Sequence, residues 1–205
     1  MTSPRCSALL LDFAGVLTDN LVEVYSRFES REGLRPLTFL REGWGTPAGQ
    51  RLYEQLELGE ITQEQWNAGM AALIGVSPDN LMGRLLREMD PAYDMLKVAA
   101  DARAAGLKTA VITNSLGRSP YDPYVLYDLP GRFDAVVYSD VHGIRKPDPR
   151  IFQMTCELLG VAAAECVFVD DSEQNLPPAA GLGMKVVHSV DEQATVPALR
   201  RLLGI

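Results

Sequence analysis

Apolar residues along this chain fall into two textures. From Ala8 to Leu11 the run is unbroken and ends on Asp12, with small and turn-forming residues at Ala14 and Gly15. A short continuous apolar run of this kind predicts a strand buried on both faces, with Asp12 exposed at its carboxyl end. From Asp19 to about Pro91 the apolar positions recur at helical spacing, and no strand is predicted there. Asn20 with Glu23 marks a helix start running through Val24 and Phe28. A helix over about Gln50 to Leu58 stops at Gly59, Thr62 with Gln65 forms a capping box for a helix over Gln63 to Ile74, and Ser77-Pro78 opens another as N-cap and first-turn proline. Leu34 to Gly49 mixes Gly, Pro and Trp into apolar positions and fits neither period.

Beyond Pro91 the texture becomes a regular alternation. The pattern predicts a helix at about Ala92 to Ala105 ending at Gly106, then strands at Leu107 to Thr113 and Asp134 to Tyr138. A helix at Pro149 to Leu159 follows, then a strand at Cys166 to Val169, a helix at about Glu173 to Leu182, and a strand at Lys185 to His188. Repeated alternation implies right-handed crossovers, hence a doubly wound, Rossmann-like α/β core with a mostly parallel sheet. The helical stretch is an insertion after the first strand, which divides the chain into a core of residues 1–19 and 92–205 and an inserted segment of residues 20–91. At 205 residues the chain is long enough for one sizeable core with such an insertion.

Composition narrows the partners more than the chemistry. A hydrophobic fraction of 47% is ordinary for a globular protein, and a net charge of −8 disfavours nucleic acid and anionic membranes as partners. Cys6, Cys156 and Cys166 have no Cys-x-x-Cys spacing, so free thiols in a reducing compartment are expected rather than a disulfide framework or a zinc site. The amino terminus lacks a signal-peptide layout and no segment approaches a membrane span, so a cytoplasmic location is expected. Oligomeric state has no signature here.

The polar residues at the strand exits carry the candidate chemistry. Asp12 follows the first strand, Thr113 and Asn114 the second, Lys146 the third, and Asp170 with Asp171 the fourth. In a parallel sheet these ends face one way, so three carboxylates, a hydroxyl and an amine converge on one crevice. Carboxylates so close repel one another unless a cation lies among them, and all-oxygen ligands with open positions suit magnesium. Lys146 and Thr113 then supply a point charge and a hydroxyl donor for a bound anion. Taken singly, each has a plainer role: one of Asp170, Asp171 and Ser172 as a helix N-cap, Lys146 as a loop lysine before Pro147, and Thr113-Asn114-Ser115 as a turn. Asp12 is the exception, because a carboxylate inside so apolar a run is costly to keep. His142 and His188, the two histidines, read as structural. Arg118, Arg145, Tyr121, Tyr124 and Tyr127 either touch a bound molecule or, on the plainer reading, form a surface loop and its packing; Trp44 and Trp66 fill the insertion, unless one of them lines its face over the crevice.

The segments LLLDFAGVLTD, AVITNS, GIRKPDP and VFVDDSEQN, taken in order, resemble the four motifs of the haloacid dehalogenase superfamily and span nearly the whole chain. Their wording is closest to the branch with bacterial sugar-phosphate phosphatases and the phosphatase domain of soluble epoxide hydrolases. The resemblance implies a helical cap at residues 20–91 and a magnesium-dependent phosphatase acting on a small phosphorylated metabolite, such as a sugar phosphate. By the same resemblance Asp12 is the nucleophile that forms an aspartyl-phosphate and also a metal ligand. Thr113, Asn114 and Lys146 bind and orient the phosphoryl group, the backbone carbonyl of Ala14 contacts the metal, and Asp170 and Asp171 complete the metal site, with Asp171 as the inner-sphere ligand.

Ala14 departs from the pattern. Most phosphatases of the superfamily carry there a second aspartate that protonates the leaving group, and losing a positioned acid/base costs about 10²–10⁴ in rate. Asp19 or Glu23 is a substitute if the loop folds back. Ala14 also suits hydrolases of C–halogen or C–P bonds, or a catalytically weakened binding protein. The phosphonate reading needs a cap lysine, and no lysine lies between Asp19 and Leu96. Metal-free dehalogenases have little use for the Asp170-Asp171 pair.

Overall fold

The computed structural model describes residues 6–205, so residues 1–5 of the expected first core segment lie outside the described residues. Five strands, β1 (Ala8–Leu11), β2 (Lys108–Thr113), β3 (Ala135–Tyr138), β4 (Cys166–Asp170) and β5 (Lys185–His188), form one sheet in the order β3-β2-β1-β4-β5. All four pairings are parallel, with β1 in the centre, Leu11 opposite Val111 on one side and Val169 on the other. This is the doubly wound α/β fold expected from the alternation. Because side chains alternate across a strand, β1 feeds both layers. Leu9 and Leu11 pack with Met95 and Val98 of α5 (Tyr93–Ala104) and with Leu199 of α10 (Glu192–Leu203). Ala8 and Leu10 pack with Ile151 and Phe152 of α8 (Pro149–Leu159) and Ala179 of α9 (Leu176–Gly181).

The insertion leaves and rejoins the core through one narrow neck. Thr18 pairs antiparallel with Pro91, the Asp19 amide donates to the Asp90 carbonyl at 2.9 Å, and the Ala92 amide donates to the Leu17 carbonyl at 3.0 Å. Between them lie α1 (Leu21–Glu32), α2 (Pro47–Glu57), α3 (Gln63–Ile74) and α4 (Leu81–Leu86). Trp66 is fully buried against Tyr53. The stretch that fitted no period contains a π-helical turn, Phe39–Trp44, and Glu29 anchors its entry by accepting from the Leu37 and Phe39 amides at 2.7 Å each.

Three helix starts differ from the pattern. α2 begins earlier, at Pro47, with Thr46 as its cap. α4 begins at Leu81 rather than at Ser77, because the Ser77 hydroxyl is consumed locally by the Asp79 amide and carboxylate at 3.2 and 3.0 Å. The helix predicted from Glu173 is a 3-10 turn, Glu173–Asn175, before α9 starts with its prolines in the first turn. Two short helices, α6 (Leu129–Arg132) and α7 (Ser139–His142), flank β3, and α10 lies beyond the last predicted strand. Among the described residues, no helix is long and apolar enough to cross a membrane.

Candidate active site

Where the chain winds off the sheet in opposite directions, the carboxyl ends of β1 and β4 stand side by side, and such a crevice is where open α/β sheets hold ligands. The Asp12 amide donates to the Val169 carbonyl at 2.9 Å, which fixes the exit of β1 beside that of β4. Asp12 itself is 8% exposed, and its Oδ1 accepts from the Phe13 amide at 2.6 Å. Lys146 is only 1% exposed, and its Nζ lies 2.7 Å from Asp12 Oδ1 and 2.7 Å from Asp170 Oδ2. Asn114 holds the lysine's main chain from both sides, accepting from the Lys146 amide at 2.8 Å and donating to its carbonyl at 3.1 Å. Asp170 is fully buried and further occupied by the Ser172 amide at 2.8 Å and Asn175 Nδ2 at 3.0 Å. Asp171 stands exposed at the rim, yet Asp12, Asp170 and Asp171 can offer ligand oxygens all within 4.8 Å of one another.

Three carboxylates here face one ammonium. Burial works to strip Lys146 of its proton, but Asp12 and Asp170 more than offset it and hold the ammonium above the ordinary lysine range. Burial pushes the Asp12 carboxyl well above the usual range; Lys146 opposes this, while Asp170 and Asp171 add to it. Asp171 is pushed up to about 6, first by desolvation and then by the charge of Asp170. Such a site favours a further cation. The loop after β1 closes on it: Gly15 has a positive φ of 77°, and a Cβ there would fall 2.4 Å from Asp171 Oδ2. A main chain packed this tightly against a carboxylate, amid oxygen donors alone, fits a hard divalent ion of the magnesium type.

Above the crevice is a cavity of about 640 Å³. Asp12, Ala14, Asn114, Lys146 and Asp171 line it from the core, and Tyr25, Leu40, Trp44, Tyr53, Glu54 and Glu57 from the insertion. Asp170 and Thr113 lie behind the wall; the buried Thr113 hydroxyl donates to the Asn114 carbonyl at 3.3 Å and also meets the Tyr124 hydroxyl. Asp19 is taken by Arg27, and neither Asp19 nor Glu23 lines the cavity. Arg145 takes the less plain of its two expected places: it lines the cavity and pairs with Glu57 at 2.6 Å. Of the two tryptophans, Trp66 fills the insertion's core, and Trp44, 46% exposed, stands on the cavity wall, the alternative place open to one of them. Tyr124 and Tyr127 pack on Phe13 with ring centroids 4.7 Å away. Tyr25, Tyr53 and Glu57 had no sequence signal, since their place on the wall depends on how the insertion folds back. Among the described residues Cys156 and Cys166 are buried free thiols 3.8 Å apart, and Cys6 is free and half-buried.

A family described as haloacid dehalogenase-like hydrolases matches residues 6–183. The chain is 27% identical to a phosphorylated carbohydrates phosphatase of Thermotoga maritima, over 90% of this chain and 87% of that one. It is 25% identical to bifunctional epoxide hydrolase 2 of Sus scrofa over 97% of its own length, but spans only 39% of that protein. The chain spans as little as 10% of another curated relative. Among solved structures, a HAD family enzyme of Bacteroides thetaiotaomicron, determined with magnesium and inorganic phosphate, superposes with a TM-score of 0.61 at 23% identity, over 89% of this chain and 93% of that one. At that identity the likeness is one of fold.

Proposed function

The chain belongs to the haloacid dehalogenase-like hydrolases, and we propose that it is a magnesium-dependent phosphatase that releases phosphate from a small phosphorylated metabolite. The observation that carries this is the buried Lys146 ammonium, 2.7 Å from both Asp12 and Asp170 at the floor of a cavity that Asp171 rims. The phosphatases among the chain's relatives support the same reading.

Asp12, Asp171 and the Ala14 carbonyl would hold the ion, with Asp170 behind them. Bound there, magnesium supplies positive charge that lets an anionic phosphate approach the carboxylates. Asp12 is the nucleophile: its oxygen bonds to phosphorus as the ester P–O bond breaks, and water then cleaves the aspartyl-phosphate. Lys146 keeps Asp12 aimed and offsets charge on the phosphoryl oxygens. Thr113, the donor expected for the same oxygens, stands buried just behind the wall, so its hydroxyl would have to turn from the Asn114 carbonyl to reach them. Asn114 spends its side chain on the main chain of Lys146, so it serves the phosphate by fixing that loop. Residues 20–91 act as a cap over a core of residues 1–19 and 92–205; the single neck and the shared cavity support that division.

The test is phosphate release from a panel of phosphorylated metabolites, with magnesium and with EDTA, beside Asp12→Asn. Metal-dependent release that Asp12→Asn abolishes is expected. Folded protein releasing none with any member would overturn the reading. Ala14 keeps C–halogen hydrolysis as a second reading, which halide release in EDTA would promote.

A further inference from the structure

A phosphate ester with an ordinary alcohol as leaving group needs a proton on the departing oxygen, and the water that follows must lose one. The loop behind the nucleophile cannot do either, because Phe13, Ala14, Gly15 and Val16 carry no ionisable side chain. Resting on the phosphatase reading, we propose that Glu57, contributed by the insertion, is the acid/base of this site. Its carboxyl gives a proton to the leaving oxygen as the ester P–O bond breaks and the bond from Asp12 to phosphorus forms. The carboxylate so produced takes a proton from the water whose oxygen attacks phosphorus, as the bond to Asp12 breaks and Asp12 is regenerated.

Elimination among the ionisable groups of the cavity leads to Glu57. Asp12 and Asp171 are occupied as nucleophile and metal ligand, Lys146 is locked between two carboxylates, and Arg145 is permanently charged. Burial pushes the Tyr25 phenol up to about 12 and Tyr53 well above its ordinary value, so both hold their protons too tightly to give them readily to a leaving oxygen. The Glu54 side chain is 55% exposed, whereas that of Glu57 is 13% exposed. The charged groups around Glu57 are Arg145, in contact with it, and Lys146 from the core, and Glu54 one turn back on the same helix. Burial raises the Glu57 carboxyl above the ordinary range, Arg145 and Lys146 pull it down, and Glu54 adds to the rise. A carboxyl raised in this way keeps its proton to higher pH than an ordinary glutamate, which the donor step requires.

Although Glu57 sits on the insertion, the core holds it in place at three points. Ser139, after β3, donates its hydroxyl to the Glu57 carbonyl and accepts from the Ser115 amide, after β2, at 2.8 Å. Arg145, next to Lys146, lies 2.6 Å from the Glu57 carboxylate, although neither Arg145 Nε nor Glu57 Oε2 meets hydrogen-bond geometry. Gly59, with φ 73°, brings the end of α2 so near the core that a Cβ would fall 2.6 Å from the Asp140 carbonyl. The strand exits that aim Asp12 and Lys146 therefore also fix this carboxyl on the cavity they share.

Leaving-group dependence separates an acid/base from a structural ion pair. Wild type and Glu57→Gln are compared on p-nitrophenyl phosphate, whose phenolate leaves without help, and on a simple alkyl phosphate, across pH 5–9 with magnesium present. For the alkyl ester, Glu57→Gln is expected to lower kcat by about 10²–10⁴ and to abolish the fall in rate at alkaline pH, with less than about tenfold change on the aryl ester. Arg145→Gln, which removes the partner that holds the carboxyl down, should move the alkaline limb for the alkyl ester to higher pH. Equal losses on both esters, no loss on either, or an alkaline limb that Arg145→Gln leaves in place would overturn the assignment. If wild-type protein releases phosphate from neither ester or from any metabolite, the phosphatase reading falls and takes this one with it.

Discussion

Replacing Lys146 with methionine tests the electrostatics of the site directly. The side chain keeps much of its length and apolar volume but loses the charge that bridges Asp12 and Asp170, each at 2.7 Å. Lys146 is 1% exposed and Asp170 fully buried, so water cannot replace the lost partner. Breaking a buried ion pair from one side costs about 3–5 kcal/mol, a large share of the roughly 5–15 kcal/mol that holds a domain together. The loss should also depend on pH. Burial already sets the Asp12 carboxyl well above its unfolded value, and removing the ammonium raises it further. A carboxyl with a raised folded pKa contributes stability that is complete below its unfolded pKa, near about 4, and is lost as pH rises through the folded value. Urea unfolding without metal should therefore show the full deficit at pH 7–8 and a smaller one near pH 5, and magnesium should restore part of it. A deficit below about 1 kcal/mol at pH 7, with no pH dependence, would refute the picture of carboxylates crowded around one ammonium.

Three other outcomes follow from the same contacts. In wild-type protein without metal, Asp12 and Asp171, the latter raised to about 6, should make the melting temperature fall as pH rises from about 4 through 6 and above, whereas saturating magnesium should stabilise most at the alkaline end. Gly15→Ala combines a left-handed φ of 77° with a Cβ 2.4 Å from Asp171 Oδ2; it should cost about 1–2 kcal/mol and weaken magnesium binding measured by calorimetry at least tenfold. Trp66→Ala should cost about 3–5 kcal/mol in urea, because the ring is fully buried against Tyr53, while Trp66→Phe should cost clearly less, since the indole Nε1 has no hydrogen-bond partner to lose.

The core was legible because its signals are local. α8 runs from Pro149 to Leu159 as read, with Asp148 capping it, Thr62 and Gln65 form the reciprocal capping box of α3, and the apolar run of β1 is buried at every position. Once the strands are parallel, residues just past their ends must share one edge, and so Asp12, Lys146, Asp170 and Asp171 meet although more than a hundred residues separate the first from the others. Competition for hydrogen bonds hid other details. Ser77 spends its hydroxyl in a turn and delays α4, and Asn175 turns its side chain back to Asp170, so the chain enters α9 through a 3-10 turn.

The opposite wall of the cavity lies beyond any local pattern, for a reason that bears on how such sites acquire chemistry. A strand exit is a fixed address, so a residue placed there faces the crevice whatever the rest of the chain does. A residue on the insertion faces it only if tertiary contacts turn it that way, and here those contacts come from distant positions. Gln63, at the start of α3, donates to the Leu116 and Tyr121 carbonyls at 2.8 and 3.0 Å and accepts from the Tyr121 amide at 2.9 Å. Gly59 packs on Asp140, and Arg145 reaches back to Glu57. Together these fasten the α2-α3 corner to the loops after β2 and β3. The remainder of the insertion's wall carries Leu21, Leu40 and Trp44, which make none of these bonds to the core. A group that must keep its distance from Asp12 belongs at the fastened corner, and groups that choose the organic part of the substrate belong on the rest. Exchanging Leu40 and Trp44 should thus change which esters are accepted more than how fast the best one turns over, a difference that reads as KM against kcat across the metabolite panel.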